Sequence, residues 1–543
     1  MSVVTVTIRC NGRTIPADIP VVSIDVRRAL NRVPSASLLL QDGDATSGQF
    51  AICDSGLFKL GTEVSIAARY EGGDGDQTLF SGLVVRQGIE AGRGGACLRV
   101  ELRDKAFRMT RPRRSQVFAD AKDSDVFAKL AKVAGLTCSA QTTAVTHASL
   151  VQFDCSDWDW LLTRADAVGM VVSVTDGALR VAKPELTGSP ALTVTWGQDL
   201  LDLDLACDAL GQDASIEAWN WDIGTQKLVK SPARNPPALK QGSVSSAKAA
   251  DALGLGAATL SYRAPLLTAE AKDWADAIAA RNQLGLQRGR VQVQGTARAK
   301  LLDGVKIQGV GTAFEGEELV TGLCHRIADG DWTTDLQFGL DPTPHHRRPD
   351  IASAPAAGLL PPASGLQIGI VDSVADDPLK EHRIKVIVPS LGDGVTGLWA
   401  RLAAPDAGKD RGICFRPEPG DEVVLGFFND DPRQPVVLGA LFSSKNTPPA
   451  AVLDSSNKNN LRGLVTRSGL TLALDDEKKQ LSLQTPSGAK LLMDDDGEAI
   501  VISDKHGNKI TLDKNGIAIE SAKDLQAKAS GNVVVKGSKI DLN

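Results

Sequence analysis

No stretch of these 543 residues approaches the eighteen or so consecutive apolar residues of a membrane span. The opening "MSVVTVTIRCNG" has neither the basic start nor the apolar core of an export signal. The expectation is a soluble chain that folds in the cytoplasm and reaches any outside destination by another route. The eight cysteines, at 10, 53, 97, 138, 155, 207, 324 and 414, include no C-x-x-C pair. Such scatter in a long chain argues against a zinc cluster or a disulfide framework and for reduced, mostly buried thiols. A G-x-S-x-G elbow is missing, and no Cys-His dyad is visible, so nucleophilic catalysis has no evident carrier. Positive charge is not in excess either: 60 Lys and Arg against 66 Asp and Glu give a net charge of −6. That balance argues against a nucleic-acid partner, which needs a cationic face.

What is present is a globular composition, 42% apolar and 23% charged, in a chain long enough for about three or four domains. The fold expected is mainly β with helical insertions. Residues 1–120 alternate in segments such as "VVTVTIRC" and "CLRVELRD" between Gly clusters, as a first β-barrel unit would. Residues 121–195 form an α/β insertion. There "DSDVFAKLAKVAGL" places Val126, Leu130 and Val133 on one helical face with Gly135 as a stop, and Ser156 caps a second helix. Residues 196–345 read as a second barrel unit with a helix, "LTAEAKDWADAIAARNQLGL". A Pro- and Ala-rich linker, 346–364, leads to five short strands at 365–445, the pattern of a small OB-type barrel. A short linker at 446–461 precedes the last region, 462–543.

That last region repeats itself. "SGLTLALDDEKKQLSL", "SGAKLLMDDDGEAIVI" and "HGNKITLDKNGIAIES" align with Gly at 469, 488 and 507, Asp at 475, 494 and 513, and Leu481, Ile500 and Ile519 marking each second strand. One face of the first strands is apolar: Leu470, Leu472 and Leu474, then Ala489, Leu491 and Met493, then Ile510 and Leu512, with Asn508 breaking the pattern. The other face carries Thr471, Lys490, Lys509 and Thr511. Period-two alternation means one side is buried and the other wet. Two short strands per copy cannot enclose a core, because a single-chain solenoid uses about three per coil. The missing walls are expected from two more copies of the chain, in a three-fold prism with Leu470, Leu472, Leu474, Leu481, Leu491, Met493, Ile500, Ile510, Leu512 and Ile519 at its core. Each such side chain contributes about 1.5–3 kcal/mol on burial.

Several features invite chemistry and read better as structure. Asp494, Asp495 and Asp496 could be a glycosidase pair, yet they sit at the turn phase shared with Asp475 and Asp513. His345 and His346 lie in the Pro-rich tract without ligand-spaced partners and read as a solvated pair. Trp158, Trp160 and Leu161 follow an N-cap at helical spacing and read as core, and Asp159 suggests no chemistry. The basic run "RMTRPRRSQ", 108–116, reads as solvated surface with an inter-subunit contact as its alternative. No catalytic residue, cofactor or metal site is expected.

"RPEPGDEVVLGFFNDDPRQPVVLGALF", Arg416 to Phe442, resembles the OB barrel of VgrG-type spike proteins of contractile injection systems, and the prism follows it as in that family. "FKLGTEVSIAARY", "TLFSGLVV" and "CSDWDWLLTRADAVGMVVSV" resemble the hub that joins spike to tail tube. The stretch near 443–461 is too short for the lysozyme domain of T4-type relatives, and with "VKGSKIDLN" ending on a strand the expectation is a spike without a long toxin extension. "DVRRALNRVPSASLLLQDGDA" is more similar to the extracellular, phage-tail-like particles. The resemblance implies β-barrel hub domains, an OB fold and a trimeric, triple-stranded β-helix. It also implies a homotrimer that meets the inner tube and baseplate proteins, a PAAR-type tip and a target-cell envelope. The tip would meet the last strand, at Lys539, Ile540, Asp541, Leu542 and Asn543. The rivals are a type VI secretion carrier of effectors and a tailspike-like hydrolase.

Overall fold

Alternation in the first hundred residues becomes strand: Val4–Cys10, Val21–Ala29, Ser35–Gln41, Glu63–Tyr70, Gln77–Gly92 and Gly95–Arg103. A computed structural model describes residues 3–73, 75–234, 239, 242–392 and 394–542, and the chain divides into two units, Met1–Ser353 and Ala354–Asn543.

In the first unit, strands from both sequence halves share one 13-stranded sheet. Gly316–Ala328 joins them. It pairs antiparallel with Asp331–Phe338 on one side and with Val21–Ala29 on the other, in the register Ile327 opposite Ile24 and Leu323 opposite Arg28. Two cores result, each built mainly from one half. Ile24, Leu38, Ile66, Phe80 and Val100 fill one, and Val291, Val305, Leu319 and Leu336 fill the other. Between the halves in sequence lies a helical layer over the sheet Val171–Thr175, Ala178–Ala182 and Thr137–Ala140.

The helix Asp123–Val133 buries Val126, Phe127, Leu130 and Ala131, while Val133, expected inside, is 56% exposed. The buried arc is centred between Leu130 and Phe127, and position 133 falls just past its edge at the helix end. Gly135 follows with φ +76°, the left-handed stop its sequence position suggested. Ser156 caps the helix Asp157–Ala167 by accepting from the Asp159 amide at 3.0 Å. A buried fork ties three helices together. Arg164 donates to both oxygens of Asp123, at 2.7 and 3.0 Å, and reaches Glu270 of helix Thr268–Leu286 at 3.3 Å. Asp123 is fully enclosed, with Arg164 and the His147 ring, 3.1 Å away, as its partners.

His325, on the joining strand, is buried beside Trp332 and hydrogen-bonded to the Thr334 hydroxyl at 3.0 Å. Burial first, and the Arg28 charge second, push its imidazole down from 6.5 to about 3. The native state therefore keeps a neutral ring over a range where the unfolded chain takes up a proton. This contribution to stability is complete above pH 6.5 and is lost as pH falls toward 3, at about 1.4 kcal/mol per pH unit. The stability advantage of wild type over His325→Gln should shrink between pH 7 and pH 4, read as the main tryptophan-fluorescence transition in urea. A constant difference would remove His325 as its source.

The second unit begins with a closed five-stranded barrel in the order Gln367–Ser373, Ile384–Ile387, Leu398–Leu402, Pro435–Ala440, Glu422–Phe427. Val371, Ile384, Val386, Val423, Leu425 and Val437 fill it. The repeat region follows as an antiparallel meander of seven strands, Leu461–Val465, Thr471–Asp475, Gln480–Gln484, Lys490–Asp494, Ala499–Ser503, Lys509–Asp513 and Gly516–Glu520. No strand is present among the described residues after Glu520, whereas "SKIDLN" was expected to form one. Residues 521–542 are exposed, and within one chain they have no ladder to join. Asn543 lies outside the described residues.

Candidate functional site

The 19-residue period has a backbone cause. Gly469, Gly488 and Gly507 adopt φ of +85°, +93° and +91°, values that side-chain-bearing residues resist. Each closes the turn that returns the chain to its next strand. The Thr466 hydroxyl accepts from the Leu470 amide, and Thr485 from Ala489, both at 3.1 Å. In the third copy Asp504 takes the same role toward Asn508 at 3.0 Å. Asn508, which broke the apolar pattern, clasps the turn: its amide donates to Asp504 at 2.8 Å and its oxygen accepts from the Ala522 amide at 3.1 Å.

Antiparallel register then stacks the apolar residues into two ladders on one face. One runs Leu464, Leu472, Leu483, Leu491, Ile502, Ile510, Ile519. The other runs Leu474, Leu481, Met493, Ile500, Leu512, Ile517. All ten proposed core residues lie on this face or at its edge, with Leu470 just before the Thr471–Asp475 strand. Leu464, Leu483, Ile502 and Ile517 belong to it too and were missed. They occupy the same period-two phase, but one residue marks each second strand in the repeat alignment, and Leu464 lies ahead of its first copy. The face is uncovered within the chain. Met493 is 45% exposed, Ile502 46%, Ile519 58% and Ile517 71%. A continuous apolar face of this length marks an interaction surface.

The acidic residues at the opposite strand ends close turns. Asp475 accepts from the Glu477 and Lys478 amides at 3.1 and 3.0 Å, Asp494 from Gly497 at 2.9 Å, and Asp513 from Asn515 at 2.7 Å. Asp496 pairs with Lys479 at 2.7 Å. These are side-chain acceptors holding hairpin backbones, as the turn reading required.

Elsewhere two expectations change. His345 is not solvated: its Nε2 lies 2.9 Å from Asp159 Oδ1, and its amide donates to Asp166 at 2.7 Å. Asp159 thus has a partner 186 positions away, beyond any local spacing. Burial works against its charge, and the His345 and Ser156 hydrogen bonds outweigh it, holding the carboxyl below its usual range. Arg113 of the basic run binds Asp154 and the carbonyls of Asp350 and Ile351, so it serves its own chain. Trp158, Trp160 and Leu161 are core as expected. All eight cysteines are free, but only Cys10 and Cys155 are fully buried, and burial pushes the Cys10 thiol up to about 11. No group of three or more metal-ligating side chains occurs among the described residues.

Residues 367–442 match the type VI secretion system/phage-baseplate injector OB domain, and residues 480–543 match the phage baseplate V C-terminal trimerisation domain. Among curated relatives, the type VI secretion system spike protein VgrG3 of Vibrio cholerae is 36% identical over 84 residues, 15% of this chain and 8% of that protein. VgrG5 of Pseudomonas aeruginosa is 31% identical over 110 residues, 20% of this chain and 13% of that protein. The matches therefore span a small part of those relatives. A solved structure of an E. coli component of the type VI secretion system, similar to T4 tail proteins gp27 and gp5, is 12% identical, with a TM-score of 0.38 over 80% of this chain and 99% of that one. The 43 kDa tail protein of prophage MuSo2 from Shewanella oneidensis is 12% identical, with a TM-score of 0.48 over 62% of this chain and 98% of that one. Residues 1–329 match the Alg8 N-terminal domain, so the chain belongs to that family, and its OB and trimerisation domains make it a VgrG-type spike protein.

Proposed function

We propose that three copies form the hub and central spike of a contractile, phage-tail-like injection particle. The observation that carries this reading is the pair of apolar ladders, uncovered in one chain and placed on a meander whose last five strands lie within the match to a trimerisation domain. Closing three such faces on a common axis buries every rung in triplicate. The product is a rod without a free apolar surface and with few exposed backbone groups to yield under axial load. The first unit would seat the trimer on the inner tube. If each chain supplies two similar barrel units there, three chains present six and match a six-fold ring. The OB barrel would be the collar, and the prism would be driven through a target envelope. A PAAR-type tip would cap the rod end at Lys539, Ile540, Asp541 and Leu542; Asn543 lies outside the described residues. The role is mechanical, without catalytic residues of its own.

Native mass spectrometry of the full chain tests the first step. The expected mass is three times that of the chain, and a stable monomer would end the reading.

A second reading is supported by the named relatives, which are type VI secretion spike proteins. In it the same trimer is a secreted carrier in a membrane-anchored apparatus. Neighbouring genes separate the two: sheath, tube and an AAA ATPase alone favour the particle, and membrane-complex genes favour the anchored machine.

A further inference from the structure

The loop of the OB barrel between strands Leu398–Leu402 and Glu422–Phe427 carries three apolar side chains in a row, Ile413, Cys414 and Phe415. Ile413 is 46% exposed and Phe415 62%. The loop is nevertheless pinned on both sides of them. Arg411 pairs with Asp406 at 2.5 Å, and the Ile413 amide donates to the Asp406 carbonyl at 3.0 Å. Beyond Phe415, Arg416 donates to the Val374 carbonyl at 2.6 Å, and Glu418 pairs with Arg467 of the repeat region at 2.8 Å. That last pair ties the loop to the turn before the Thr471–Asp475 strand.

Phe415 consequently lines the same groove as Leu464, Leu470, Leu472 and Leu483. The apolar face is unequal at this end. One ladder begins with Leu464, but the other begins with Arg462, opposite Leu474 and ion-paired to Asp476. A large aromatic held over the first rung, with most of its ring bare, is a pre-positioned interface anchor rather than a packed core residue.

The geometry points to Phe415 as the plug of the trimer axis: one phenyl from each of three copies of this chain closes the shared apolar face on the barrel side. The occupant is a second and third copy because the groove is continuous with the face of the trimerisation match, which starts only at residue 480. The interface thus extends upstream of that match, through the Leu461–Val465 strand, into the barrel loop. This inference rests on the trimeric reading above.

The test uses the full chain with Phe415→Cys, and with the exposed Cys207 and Cys414 changed to Ser, oxidised by copper phenanthroline. Three thiols meeting at one axis can form only one disulfide. An intact trimer should therefore run on a denaturing gel with about two thirds of its chains as covalent dimers and one third as monomers. An intact trimer without covalent dimers would overturn the plug alone. A monomeric native mass before oxidation would overturn the trimer beneath it. Should this variant fail to fold, thermal dissociation followed by native mass supplies a second measure. Phe415→Ser should dissociate at a lower temperature than wild type, with Phe415→Leu recovering most of the difference, and equal temperatures for all three would also overturn the assignment.

Discussion

Replacing Leu491 by Asp is expected to turn the trimer into folded monomers at micromolar concentration. Leu491 sits mid-ladder, between Leu483 and Ile502 in register. Each copy loses about 1.5–3 kcal/mol of apolar burial. Each also brings a carboxylate into an apolar setting, where an unpaired charge costs several kcal/mol more. Three copies pay this together, with like charges repelling near one axis. The sum, on the order of 10 kcal/mol or more, approaches the whole free energy of a nanomolar complex, about 12 kcal/mol. The first unit and the barrel have cores of their own and should keep their circular dichroism. Lys490→Asp changes charge one residue away on the opposite face, and it should remain trimeric. If the Leu491 variant stayed trimeric, the ladders would not be the interface.

How much of this was legible depends on how far apart the partners lie in sequence. The repeat could be read because its cause is local: a left-handed Gly, an acceptor three residues before it, and alternation over five residues. The closed barrel was equally local, five strands within eighty residues. The first unit was legible as strand-rich but not as one sheet. Its joining strand pairs residue 323 with residue 28, and no pattern in either segment names the other. The same holds for His345 and Asp159, each unremarkable until the chain brings them within 2.9 Å. Phe415 failed for a different reason. It lies one residue before the Arg416–Phe442 stretch that suggested the OB barrel, and its loop is held by contacts to Asp406, Val374 and Arg467 that no local pattern names.

Removing residues 462–543 should leave a soluble, folded hub and barrel and abolish delivery into target cells. Every buried core cluster draws its members from residues up to Val437, so the deletion takes no side chain from any of them. Among the ion pairs it breaks is Arg467 with Glu418, an exposed contact worth about 0.2–1 kcal/mol. The thermal transition of the remaining chain should therefore move by only a few degrees. Both ladders are lost, and with them the rod. Particles carrying the shortened chain are expected to deliver no cargo. If contraction with the truncated protein still injected or killed target cells, force would be transmitted by some other component and the mechanical role assigned to the meander would be wrong.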